Sequence, residues 1–480
     1  MTYAVRGLGL AVSLSLVSTV ALVPRANAQS TTAAHLYIQI QGPAGAVYGY
    51  SASSSGQLTA ISGAPWKPTG QIIGSNKTQF ITLGQDNIHS YAVASDGAIG
   101  SQLEQNPFTD YPGGNCGTGS TAMNSAVLDH TGEYVYILLQ TSNGSSGCSA
   151  YQSFNINSAG AFDGLGDGGM IGFGNLTLPS ILGNETFAYA DDKNGPIGFQ
   201  RLSSGELAEM PYGFQETDPT LSGGSYTPGF PDASPTGNYV VLHLFPNDAN
   251  PFQLGSYTVD SQGNLSTTNT STNMPTSALI GPSSTFSPDG TMFVLYAGGQ
   301  GSGTLGNGIE IYNFNAASPL TLNTTLLNGT PISQVAWDTS NHLYAISQSA
   351  NKLWVYNVTR SSMAESATLS IGSPFSMVVV ASQAASGGGS CPAPTNNGVD
   401  VCSPGEGTTV TSPVQINAAT TVSGGVYRFE LWSGSTKLLS VDNGIMDQSL
   451  SLAPGSYHLT FDARSSSGNH EYATRDITVQ

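Results

Sequence analysis

One spacing recurs along this chain and limits what it can fold into: an aromatic residue, five residues of any kind, a glycine, one more residue, then an apolar side chain. It reads Tyr50, Gly56, Leu58; then Tyr91, Gly97, Ile99; then Phe154, Gly160, Phe162. It continues as Phe199, Gly205, Leu207 and as Tyr257, Gly263, Leu265. Tyr312 and Leu320 keep the spacing without the glycine, and Tyr356 begins a seventh, degenerate copy. Each copy follows a run rich in β-branched and aromatic residues, at 35–39, 79–83, 134–139, 186–190, 239–245, 292–297 and 342–346. Several runs follow a turn closing on glycine, at 129–132, 234–237 and 287–290. A short continuous apolar run reads as a strand buried between neighbouring sheets. The glycine permits a positive-φ turn into an outermost strand. A sheet of this kind cannot cover both of its faces alone, so the sheets must stack.

Repeats of about 40 to 60 residues with four strands each describe a β-propeller, and seven copies predict seven blades. The ends of the repeat predict how the ring closes. The first copy starts at its second strand near His35, whereas the last is followed by a spare apolar strand at 375–380. That strand is expected to become the innermost strand of the first blade. These copies, together with Phe286-Ser287-Pro288-Asp289-Gly290 before a strand, resemble the lactonase-like, YVTN-type seven-bladed propeller family over roughly residues 30–385. The family includes 6-phosphogluconolactonases and muconate-lactonizing relatives, so the resemblance implies the fold and, as an expectation, lactone chemistry.

Residues 1–28 read as a cleavable export signal: Arg6, an apolar stretch from Leu8 to Val23, Pro24, and the small-x-small sequence Ala26-Asn27-Ala28. The mature chain is then expected to be periplasmic or secreted, with no membrane insertion. Its four cysteines allow three pairings, of which Cys116–Cys148 and Cys391–Cys402 are the most local. Export favours disulfides over a metal site, and no C-x-x-C spacing with histidine partners occurs.

A Gly/Ser linker and stapled loop are expected over 386–402, between a propeller at 29–385 and a second domain at 403–480. In that domain Tyr427, Phe429 and Leu431 alternate with Arg428 and Glu430, and Tyr457, Leu459 and Phe461 with His458, Thr460 and Asp462. Pro454-Gly455-Ser456-Tyr457 ahead of a long strand resembles the tyrosine corner of an immunoglobulin-like sandwich. The expected fold class is therefore all-β, a seven-bladed propeller followed by a small immunoglobulin-like sandwich.

Composition removes several functions. Only 12 basic residues stand against 30 acidic ones, for a net charge of -18, so no basic stripe for nucleic acid can be assembled. No G-x-S-x-G elbow and no H-E-x-x-H helix occurs. Gly164-x-Gly166-x-x-Gly169 matches a dinucleotide pattern by letters but opens no βαβ unit, and no cofactor is expected. Asp163 and Asp167 resemble a calcium loop but lack its remaining ligands. They read as a solvated turn and as weak calcium candidates, and Asp191-Asp192 likewise reads as a turn. The weak candidates for acid–base catalysis are His243, in a strand, and His130, in a turn.

The propeller carries as cations only Lys67, Lys77, Lys193, Arg201, Lys352 and Arg360. A phosphorylated lactone needs convergent cations, so an uncharged ligand is expected. The leading expectation is a module binding a neutral glycan or a cell-surface protein, with the sandwich as spacer. The alternative is a hydrolase of an uncharged lactone.

Overall fold

The computed structural model describes residues 32–480 apart from 77, 86, 108–119, 144–145, 158, 172–175, 193–194, 211–225, 247–251, 280–282, 299–305, 382–390, 392, 411, 413, 435, 442–443, 451 and 466–467. Residues 32–381 form seven antiparallel four-stranded sheets, the blades of a propeller. Their second strands begin with Thr32–Ile40, Gln79–Leu83 and Tyr134–Asn143, and continue with Phe187–Asp192, Tyr239–Pro246, Met292–Ala297 and His342–Ser347. These coincide with the apolar runs of the sequence, because a strand covered on both faces has no polar side to alternate with.

The ring closes as the spare strand predicts. Pro374–Ala381 pairs antiparallel with Thr32–Ile40, Val380 opposite His35, so blade 1 takes its innermost strand from the far end of the ring. The hydrophobic core is divided among the seven contacts between neighbouring blades, each with its own cluster. Val294 and Ile311 of blade 6 meet Val335 and Leu343 of blade 7 in one, and Leu36 and Ile38 of blade 1 meet Tyr344 and Leu353 of blade 7 in another.

The repeated glycine does more than turn the chain. Gly97 and Gly205 hold φ of 86° and 93°, where a Cβ is strained. Their carbonyls accept the hydroxyls of Tyr37 and Tyr136 from the preceding blade, at 2.8 Å each. Tyr189 donates to Gly263 in the same way. A Cβ on Gly205 would stand 2.0 Å from the Tyr134 ring, so the glycine also sets how closely two blades approach.

Two turns of the sequence reading are strands instead. Asp163 and Asp167 lie on Phe162–Ile171, the outermost strand of blade 3, opposite Asn155 and Gln152. The repeat starts that strand at Phe162, and this outweighs the glycines, which pair in a ladder at modest entropic cost. Asp191 and Asp192 end the strand Phe187–Asp192, opposite Pro196 and Gly195.

Residues 398–479 form a three-stranded and a five-stranded sheet. Val414, Ile416 and Met446 of the first face Phe429, Leu431 and Phe461 of the second in one buried cluster, the alternation read from the sequence. Cys391 and Cys402 are disulfide-bonded. The Cys116–Cys148 pairing lies outside the described residues, as does the leader expected at 1–28.

Candidate active site

Where the first strands of blades 3 to 7 converge on the axis, they line an open cavity of about 590 Å³. Its wall is set by one repeated position. The turn that follows each first strand begins at Asp129, Leu182, Ser234, Ser287 and Asp338, whose amides bond the start of the second strand. Two residues earlier stand Val127, Ser180, Asp232, Thr285 and Ala336, all on the cavity wall. Among the described residues, Asp232 is the only charged side chain on the seven innermost strands.

A β-bulge aims this carboxylate. Between Gly229 and Asp232 the innermost strand of blade 5, Tyr226–Ala233, carries one residue more than its partner strand. Phe230, within the bulge, holds a φ of 49°, a left-handed conformation costly for an aromatic residue. Bulges turn the chain and redirect side chains. Here the Asp232 side chain keeps 17% exposure on the cavity.

Ser284, from the neighbouring blade, donates its hydroxyl to the Asp232 carboxylate. Burial pushes the Asp232 carboxyl up to about 7, and the Ser284 hydrogen bond only partly opposes this. The protein interior lacks water to solvate the anion, and no Lys or Arg lines the cavity to replace it. An acid near neutrality can take or give a proton at working pH.

His243 sits behind it. Its ring is fully buried and stacked on Phe252 at 4.9 Å, with Nε2 3.7 Å from Asp232 Oδ2. That separation is beyond a hydrogen bond, and neither ring nitrogen has a hydrogen-bond partner. Burial drives its pKa down to about 3, so the imidazole is neutral. The histidine backs the acid and has no exposed path to a ligand.

His130, the other histidine of the sequence reading, reaches the cavity rim from the turn at 129–132 with 42% of its side chain exposed. Its Nδ1 lies 3.1 Å from Glu185 Oε1. Glu185 belongs to an ion network between blades 3 and 4. Arg201 bridges Glu185 at 2.6 Å and the buried Asp129 at 2.9 Å, with its guanidinium 4.5 Å over the Tyr134 ring. The structure therefore brings both histidines to one cavity, His130 at its rim and His243 beneath its wall. His342 is held apart inside blade 7, its Nδ1 2.6 Å from Asp338.

The residue that sequence reasoning missed is Asp232. Its signal appears once the copies are aligned on their turns, because the equivalent position is uncharged in the other four blades lining the cavity.

No family model and no curated protein matches this chain. Solved structures do. A candidate 6-phosphogluconolactonase of Bacteroides uniformis matches at 12% identity and a TM-score of 0.52, over 73% of this chain and 100% of that one. A second from Bacteroides fragilis matches at 12% identity and 0.49, over 74% and 99%. The periplasmic gluconolactonase of Pseudomonas aeruginosa matches at 12% identity and 0.49, over 72% and 99%. At this identity the first likeness shows the fold: a seven-bladed propeller of the kind seen in lactonase-like proteins.

Proposed function

We propose that this protein is an exported hydrolase of uncharged lactones, working from the axial cavity with Asp232 as general base. The observation that carries the reading is the solitary carboxylate: one acid, raised to about 7, aimed by a strained bulge into a chamber lined by no other carboxylate and by no Lys or Arg. In the proposed reaction Asp232 removes a proton from water as its oxygen attacks the lactone carbonyl carbon. The ring C–O bond then breaks, and the leaving oxygen takes up the proton, giving the hydroxy acid. Ser284 fixes the orientation of the carboxylate. The names of the structural neighbours point to lactones, but a cavity without Lys or Arg cannot hold a phosphate well, which favours an uncharged ring. Export is supported by the leader at 1–28 and by the Cys391–Cys402 bridge, which persists in an oxidising compartment.

The test is hydrolysis of neutral lactones by the mature protein. The specificity constant should rise to a plateau above about pH 7 and fall on the order of a hundredfold in Asp232→Asn. An Asn variant that keeps half of the activity would remove Asp232 from the chemistry.

A second reading, recognition without turnover, has its own observation. On the C-terminal sandwich, read as an immunoglobulin-like spacer, the Tyr457 hydroxyl donates to the Ala453 carbonyl at 2.9 Å, the contact of a tyrosine corner. The outward face of its five-stranded sheet exposes Tyr472 at 66%, a surface suited to a neutral glycan or a cell-surface protein. A glycan that raises the melting temperature of a protein turning over no lactone would favour this reading.

A further inference from the structure

We infer that Asp191, a carboxylate of the neighbouring blade that the proposed reaction does not use, is a positioning residue: it holds the bulge that aims Asp232 into the cavity. The inference rests on the hydrolase reading for its effect on turnover, and on the geometry of the bulge for everything else. Asp191 lies on Phe187–Asp192, the second strand of blade 4, and meets the innermost strand of blade 5. A Cβ on Gly229 would stand 3.5 Å from Asp191 Oδ2, so the carboxylate lies against the bulge backbone.

The bulge needs such a partner. Its ladder pairs Gly229 with His243 and Asp232 with Val241, and passes over Phe230 and Pro231. Pro231 has no amide hydrogen. The Phe230 amide does, and a backbone donor left out of the ladder needs an acceptor elsewhere. It donates to the Asp191 carboxylate. Phe230 also holds its left-handed φ of 49°, a conformation that persists only where the surroundings enforce it. The residue is 46% exposed, so packing of its ring supplies only part of that hold. The anchor is fixed in turn. The Asp191 amide donates to Thr177 Oγ1 at 2.8 Å, and the Thr177 amide to the Asp191 carbonyl at 2.9 Å. Asp191 Oδ1 is buried without a hydrogen-bond partner. Burial, with Asp192 alongside, raises the carboxyl to about 6, and the Phe230 amide opposes this. An apolar residue would fill the same space without that penalty, so the amide it holds is what explains a carboxylate here.

The experiment uses the mature full-length protein with Asp191→Ala and Asp191→Asn. Asparagine keeps an oxygen for the Phe230 amide and loses only the charge, whereas alanine loses both. The Asp232 carboxyl is titrated by carbon NMR, its resonance assigned through Asp232→Asn. The midpoint should stay at about 7 in the parent and in Asp191→Asn. In Asp191→Ala it should fall toward the ordinary carboxylate range, because the released bulge lets water reach the acid. An unchanged midpoint in Asp191→Ala overturns the inference. An equal fall in Asp191→Asn also overturns it, since the charge or volume of Asp191 would then be the cause.

Turnover of neutral lactones gives a second readout. In Asp191→Ala kcat should fall on the order of tenfold with KM within about twofold of the parent, and Asp191→Asn should recover most of that loss. A loss confined to KM overturns the inference and leaves the hydrolase reading standing. If no lactone is turned over, the hydrolase reading fails, and the NMR midpoint still decides the role of Asp191. Hydrogen exchange in the parent, followed by mass spectrometry, decides it without any variant that must fold. The Phe230 amide should be protected, and exchange there at the open-chain rate overturns the inference.

Discussion

Asp232 makes stability depend on pH in a direction opposite to that of an ordinary surface carboxylate, and Asp232→Asn exposes the effect. Folded, the carboxyl is raised to about 7; unfolded, it returns to 3.8. The folded protein therefore holds the proton more tightly, and the unfolded chain binds fewer protons between these two values. Stability contributed by this group is fully present below the unfolded pKa and is lost as pH rises through the folded one. At about pH 4.5 the retained proton is worth about 3 kcal/mol, and by about pH 8 almost nothing, since both states are then ionised.

Asparagine carries no charge at either pH, so its own packing and hydrogen bonding cancel in the comparison. Stability of Asp232→Asn relative to the parent should thus improve by about 3 kcal/mol between about pH 4.5 and about pH 8. Urea unfolding of both proteins at the two pH values measures this, and the C-terminal sandwich contributes equally to each. A change below about 1 kcal/mol would mean that water reaches the carboxylate and that its pKa is near the ordinary value. The proposed base would then have no reason to work at neutral pH.

Two further predictions concern the ring. Arg201→Leu leaves the buried Asp129 carboxylate without its cation and should cost about 3 kcal/mol. Protonation of Asp129 relieves the defect, so urea unfolding should show a smaller loss at about pH 5 than at about pH 8; equal losses at both would show that the charge is compensated elsewhere. Gly205→Ala places a methyl 2.0 Å from the Tyr134 ring at a φ of 93° and should cost about 3 kcal/mol from overpacking and left-handed strain together. A loss under about 1 kcal/mol in thermal unfolding would show that the junction of blades 3 and 4 gives way easily.

The ring was legible in the sequence because its blades repeat one solution to one problem. Residues 79–83 and 292–297 read as strands from their apolar runs, and they are strands with those same limits. The spare segment at 375–380 could be assigned to blade 1 because the first copy begins at its second strand and lacks an innermost one. The cavity was harder to see. Histidines attract attention by residue type, yet the position of His243 against Phe252 depends on residues distant in space, which no local pattern encodes. Asp232 lies in the least regular part of its repeat, where Gly229, Phe230 and Pro231 interrupt the strand pattern. The glycines around Asp163 and Asp167 have the composition of a loop, but the repeat, which starts a strand at Phe162, decides the structure there. The candidate site at Asp232 breaks the repeat while the packing positions obey it, the pattern expected where a fold carries strain for chemistry.

The closure of blade 1 has a temporal consequence. His35 pairs with Val380, so the ring cannot close until nearly all of it has emerged from the ribosome. Until then Thr32–Ile40 presents an unpaired edge with a buried-type side-chain pattern, the kind of surface that recruits other chains. The contact joining these ends also has the largest loop-closure cost in the ring. A chain truncated before Pro374 should therefore behave as an open, self-associating arc, and blade 1 records whether synthesis has passed the end of the ring.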